Sequence, residues 1–145
     1  MDLQVEAAVR SLAIIHKVID LAEIIEWADQ IILAEPSPDP VIIELSLAHD
    51  FDTALSLLNS FGIPDDRMLV VQRVFSYFYR DLTLKNGDYL KVAEALYYMA
   101  VNGWEFDSTM YSYWDDLDLA SDGICGNAMK IKKDMLKFLD SNRIG

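Results

Sequence analysis

Apolar residues recur at steps of three and four positions along almost the whole chain, and this is the spacing of one face of an α-helix. The segment that follows Pro64 is one example. Its apolar positions are Met68, Val71, Phe75, Phe78 and Leu82. The β-branched run from 41 to 43 follows a proline and continues into Glu44 and Leu45, which favours helix over strand. The chain is therefore predicted to be all-α.

Turn and capping residues divide this pattern into about eight helices. Asp20 and Glu23 resemble a capping box, and three prolines within 36–40 cannot continue a helix. Asp39 as N-cap and Pro40 at the first helical position then start a new one. The predicted helices cover about 3–19, 21–34, 40–48, 52–61, 64–86, 88–102, 108–117 and 127–140. Short connections between them predict a single domain over 1–145, either a helical bundle or stacked helical hairpins.

The charge of the chain is concentrated in two long windows that contain no lysine or arginine. The chain has 12 basic and 24 acidic residues, a net charge of −12. In 18–66 and 92–129, all of the charged residues are acidic. Such a surface repels nucleic acid and anionic membranes, and it attracts basic proteins. The composition therefore predicts a basic protein partner, and neither a nucleic acid nor a membrane.

No pattern in the sequence indicates a catalytic centre, a cofactor or a metal site. His16, His49 and Cys125 are far apart and have no ligand spacing. The segment 118–123 resembles part of a calcium loop, but Ala120 and Met129 occupy two positions that need ligands. Nucleophile-elbow and glycine-rich phosphate motifs are absent. We therefore predict a protein that is not an enzyme; a small carboxylate enzyme that uses a divalent cation is the least favoured alternative.

An aromatic and acidic segment is the strongest candidate for a binding surface. Trp104, Phe106, Tyr111, Tyr113 and Trp114 fall within eleven residues and alternate with acids. Aromatic side chains anchor protein interfaces, and surrounding carboxylates would select a basic partner. Some of these rings are expected to face the core instead, together with Met110 and Leu117. The predicted partner-binding residues are Glu105, Asp107, Tyr111, Trp114, Asp115, Asp116, Asp118 and Asp122.

The N-terminus lacks the basic segment and the cleavage site that are typical of a signal peptide. No apolar run approaches the length of a membrane span. The single cysteine excludes an internal disulfide framework. A cytoplasmic location is therefore expected.

Three short motifs carry a resemblance to a known group of proteins. They are Ile-Glu-Trp-Ala-Asp at 25–29, Val-Ile-Ile-Glu-Leu-Ser-Leu at 41–47 and Tyr-Ser-Tyr-Trp-Asp-Asp at 111–116. Together they resemble a family of short acidic bacterial proteins of uncharacterised function, whose members look like immunity proteins encoded beside polymorphic or contact-dependent toxins. The resemblance implies a non-enzymatic protein that binds and occludes a cognate toxin, a basic nuclease for example. An acidic adaptor or regulatory module of a larger complex is the alternative.

The Trp-Ala-Asp motif is itself expected to be structural. Trp27 lies close to the apolar stripe of its helix, beside Ile24, Ala28 and Ile31. We therefore expect Trp27 to be largely buried, as a core residue whose truncation would cost about 3–5 kcal/mol. Asp29 is expected to satisfy a polar group nearby.

Overall fold

A computed structural model describes residues 1–84, 87–121 and 127–145. Within these ranges the chain forms eight α-helices and no strand, and it is 74% helical, which confirms the predicted all-α class. A short 3₁₀ helix, Ser108–Tyr111, precedes the seventh α-helix. The α-helices are α1 (Leu3–Ile15), α2 (Leu21–Ala34), α3 (Pro40–Ser46), α4 (Phe51–Asn59), α5 (Arg67–Leu84), α6 (Tyr89–Val101), α7 (Ser112–Ser121) and α8 (Ala128–Asn142).

Aspartate side chains start most of these helices. Asp20 accepts a hydrogen bond from the backbone N–H of Glu23 at 2.9 Å, and Asp39 accepts one from Val41 at 2.9 Å. Asp88 accepts one from Lys91 at 3.0 Å. Each carboxylate satisfies an N–H group that has no partner inside the helix and favours the positive end of the helix dipole. These three predicted helix starts are confirmed.

The structure corrects several predicted helix ends. α1 stops at Ile15, four residues earlier than predicted, because Lys17 adopts a positive φ of 61° that cannot continue a right-handed helix. α5 begins at Arg67 and not at Pro64, since Asp66 acts as its cap and accepts from the N–H of Leu69. The predicted helix over 108–117 is divided at Tyr111 into a 3₁₀ turn and α7.

The chain divides into two compact units, Met1–Asp65 and Asp66–Gly145. The first unit contains α1 to α4. Its α2 and α3 pack as a hairpin, and α1 packs against α4. The Ser11 hydroxyl donates to the Asn59 side chain at 2.7 Å, which fixes α1 on α4. Fully buried side chains at its centre include Val9, Ile24, Ile42, Leu45 and Leu58.

The second unit is built around aromatic contacts between α5 and α8. The fully buried ring of Phe75 lies 5.4 Å from that of Phe138 and 5.7 Å from that of Phe106. Asp81 is buried and forms an ion pair with Lys91, with a 3.0 Å distance between Oδ2 and Nζ. This pair joins α5 to α6. That both units belong to one folding domain stays a prediction.

The predicted environment of the Trp-Ala-Asp motif is partly confirmed. Asp29 accepts a 2.6 Å hydrogen bond from the Ser46 hydroxyl, which links α2 to α3. Trp27, however, is only partly buried and does not belong to the core. The Arg10 guanidinium lies 4.2 Å from the centre of its ring and pairs with Glu6 at 2.8 Å. Trp27 therefore lies at the edge of the core, where the Arg10 side chain of α1 contacts its ring.

We expect Trp27→Ala to lower the free energy of unfolding by about 1–2 kcal/mol, from partial apolar burial and one cation–π contact. Urea denaturation of the wild type and the variant measures this loss. Arg10→Gln should reproduce part of it, since it removes the contact and leaves the ring. A loss above about 3 kcal/mol for Trp27→Ala would place the ring in the core after all.

Candidate partner-binding surface

Four aromatic rings come together where α6, the 3₁₀ helix and α7 meet. The ring of Tyr97 lies 5.3 Å from that of Trp114 and 6.1 Å from that of Tyr111, both edge to face. The ring of Tyr98 lies 5.6 Å from that of Trp114. We call Tyr97, Tyr98, Tyr111 and Trp114 the aromatic patch. Aromatic pairs of this kind each contribute about 0.5–1.5 kcal/mol beyond the area that they bury.

The aromatic patch is open to solvent. Tyr98 is 42% exposed and Tyr111 is 37% exposed, while Tyr97 and Trp114 are partly buried. Val101, one turn after Tyr97 on α6, is 53% exposed and extends the apolar surface. Rings that are rigidly packed and still exposed are typical of interface anchors, because little side-chain entropy is lost when a partner covers them.

Local turn geometry brings the 3₁₀ helix onto α6. α6 ends at Val101, and Gly103 reverses the chain at a φ of 93°, a conformation that L-residues with a side chain rarely adopt. The Asp107 side chain then accepts from the N–H of Thr109 at 2.8 Å and starts the 3₁₀ helix. The Tyr111 hydroxyl donates to the carbonyl of Ala100 at 3.3 Å, so the returning segment is tied to α6.

The core-facing alternative holds for other rings of the segment. Met110, Tyr113 and Leu117 are buried, and Phe106 is partly buried against Phe75 and Phe138. The Tyr113 ring lies 5.8 Å from that of Phe138. Only Tyr111 and Trp114, of the predicted partner-binding residues, join the aromatic patch. Tyr111 is exposed and Tyr113 is buried, whereas Phe106 and Trp114 are both partly buried.

The predicted acids lie in different environments. Glu105, Asp115, Asp116 and Asp118 are exposed, as expected for a window without basic residues. Helical register places Asp118 one turn after Trp114, on the same side of α7. Asp122 lies outside the described residues. Asp118 is thus the predicted acid whose register places it beside Trp114, and Asp115 is exposed on the same helix.

Asp107 and Asp116 interact electrostatically with the Tyr113 hydroxyl. The pKa of Tyr113 is raised to about 12. Burial of the ring is the largest cause, and the negative charges of Asp134, Asp107 and Asp116 add to it. Asp107 also has a local structural role, since hydrogen bonds from the side chain and the N–H of Thr109 lower the pKa of its carboxyl. Asp107 and Asp116 are both exposed, and their contact with a partner stays a prediction.

Sequence reasoning missed Tyr97 and Tyr98 as site residues. Two adjacent aromatic residues on one helix point about 100° apart, so one of them often lies at the edge of the buried face. That signal was present in the sequence, but it does not identify the rings that the exposed tyrosine contacts. The contacts with Trp114 depend on how α7 packs against α6.

The net charge is divided unequally between the two units. Met1–Asp65 contains two basic and twelve acidic residues, a net charge of −10, whereas Asp66–Gly145 contains ten basic and twelve acidic residues, a net charge of −2. The exposed sides of α2 and α3 in the first unit carry Glu26, Asp29 and Glu44 beside the exposed Leu33 and Leu47. This face is a second acidic surface with apolar side chains.

Other kinds of site find little support in the described part of the chain. No group of three His, Cys, Asp or Glu side chains there is arranged to hold a metal ion. His16 is partly buried, and burial lowers its pKa. Cys125 lies outside the described residues. Among the helices described, none is both long and apolar enough to cross a membrane.

Comparison with protein-family models, with curated proteins and with solved structures gave no match.

Proposed function

We propose that this protein is a non-enzymatic inhibitor of the immunity-protein type, which binds a basic protein toxin through the aromatic patch and occludes its functional surface. The observation that carries the proposal is the packing of four rings, two of them exposed, on and beside a helix that also carries the exposed carboxylates of Asp115 and Asp118. Aromatic anchors supply residence time, and carboxylates around them accelerate the encounter with a basic protein.

The division of charge between the units supports a role for long-range attraction. A net charge of −10 on the first unit attracts a cationic partner from a distance, whereas the second unit carries the aromatic anchors. Attraction between separated charges is screened within about 10 Å at 0.1 M salt. The proposed partner is therefore expected to associate quickly at low salt and more slowly as the salt concentration rises.

The function is tested by inhibition. The protein product of the adjacent reading frame is purified, its toxic activity is assayed, and this protein is added in increasing amounts. The proposal expects activity to fall to zero at a fixed molar ratio, with a stable complex on gel filtration. A complex that leaves the activity of the partner intact would favour the adaptor or regulatory module, and the absence of any complex would overturn the proposal.

Charge reversal beside the aromatic patch should slow association. We expect Asp115→Lys with Asp118→Lys to lower the association rate constant about tenfold at low salt and to flatten its salt dependence. The helical signal should not change, because both carboxylates are exposed. Stopped-flow or surface-based kinetics at two salt concentrations measures the effect.

A matched control separates local steering from the effect of total charge. Glu26→Lys with Glu44→Lys changes the net charge by the same amount on exposed positions of the first unit. A smaller effect from this control supports contact at the aromatic patch. If the control slows association as much or more, the partner approaches the α2 and α3 face instead.

A further inference from the structure

A groove with several lysines lies between α5 and α8 in the second unit. None of the residues that line it belongs to the aromatic patch. Its volume is about 550 Å³. Tyr79 of α5 forms one wall, and α8 contributes Lys130, Lys133 and Lys137 together with Asp134 and Asp140. Such a basic groove is unexpected in a chain whose net charge is −12.

Three ammonium groups are available in this groove. Lys130, Lys133 and Lys137 are spaced by three and four residues, so they lie on one side of α8, and all three are exposed. Within the described residues, no ion pair and no ring contact engages any of them. Lys132 differs, because its ammonium lies 5.5 Å from the centre of the Tyr89 ring and it does not line the groove.

The carboxylates of the groove only partly offset these charges. Asp140 accepts a 2.9 Å hydrogen bond from Nε of Arg143, whose guanidinium lies 4.3 Å from the centre of the Tyr79 ring. Asp134 is exposed and directly follows Lys133 in the sequence. Among the residues that line the groove, three lysines therefore outweigh two aspartates, and the formal charge of the lining is positive.

We propose that this groove binds a small anion that carries a phosphate group. Ammonium groups are compact charges that donate to phosphate oxygens, and three of them along one helix face can contact one phosphate or two linked ones. A long polyanion is disfavoured, because the chain as a whole has a net charge of −12 and repels it. The groove shares no residue with the aromatic patch, so this proposal does not depend on the proposed inhibitor function.

The test is an NMR titration of the full-length ¹⁵N-labelled protein with sodium phosphate, sodium pyrophosphate and glycerol phosphate. Sodium chloride at matched ionic strength provides the reference. The proposal expects saturable shifts of the amide signals of 130–140 and 79 with at least one of the three phosphate compounds. It expects no saturation with chloride. Comparison of the three compounds distinguishes free phosphate, linked phosphates and a phosphate ester as the preferred form.

Two single variants on α8 provide a matched control. Lys133→Gln should weaken the binding several-fold, and Lys132→Gln, which removes the same charge outside the groove, should leave it within twofold of the wild type. A triple variant should weaken phosphate binding tenfold or more; in it, glutamine replaces Lys130, Lys133 and Lys137. Circular dichroism confirms that the helices remain. Equal effects of the two single variants, or shifts with phosphate that follow ionic strength alone, would overturn the proposal.

Discussion

Phe75→Ala should lower the free energy of unfolding by about 3–5 kcal/mol, the range for truncation of a buried phenylalanine. Phe75 is fully buried, and its ring contacts those of Phe106 and Phe138. Removal of the ring leaves a cavity where α5 and α8 pack against the segment before the 3₁₀ helix. Chemical denaturation followed by circular dichroism measures the loss.

An exposed residue of the same helix provides the control. Leu84 is 78% exposed near the end of α5, and Leu84→Ala should change the free energy of unfolding by less than about 0.5 kcal/mol. The difference between the two variants isolates the contribution of the core from helix propensity. A loss below about 1 kcal/mol for Phe75→Ala would mean that the aromatic contacts do not organise the second unit.

Trp114→Ala should weaken binding of the proposed partner about thirtyfold or more, the equivalent of 2 kcal/mol for an interface anchor. The effect should appear mainly as faster dissociation, because packing contacts form after the encounter. Trp114 contacts both Tyr97 and Tyr98, so its removal also releases the two neighbouring rings. Dissociation rates from the purified complex measure the effect.

Trp104→Ala is the matched control for Trp114. Trp104 is also partly buried in the second unit, but it lies beside the Arg67 guanidinium, 5.4 Å from ring centre to Cζ, and not in the aromatic patch. Thermal melts of both variants show whether either is unfolded at the temperature of the binding assay. Similar losses of affinity for two folded variants would remove the aromatic patch from the interface.

The sequence was most informative where a few neighbouring residues decide the structure. The helix α2 has the predicted bounds of 21 and 34, because Asp20 caps its start and the proline segment prevents its continuation. The capping roles of Asp39 and Asp88 were predicted for the same reason. A cap needs only one carboxylate and an N–H group two or three residues later, so no distant contact can change it much.

The all-α class and most helix positions were thus determined by the sequence alone. Only the tertiary structure decided that Tyr97 and Tyr98 join Trp114, that Arg10 covers Trp27, and that lysines of α8 share a groove with Tyr79. Each of these contacts joins residues of different helices. Periodicity shows which face of a helix is apolar, but it does not show which side chain of another helix covers that face, since this depends on how the helices pack.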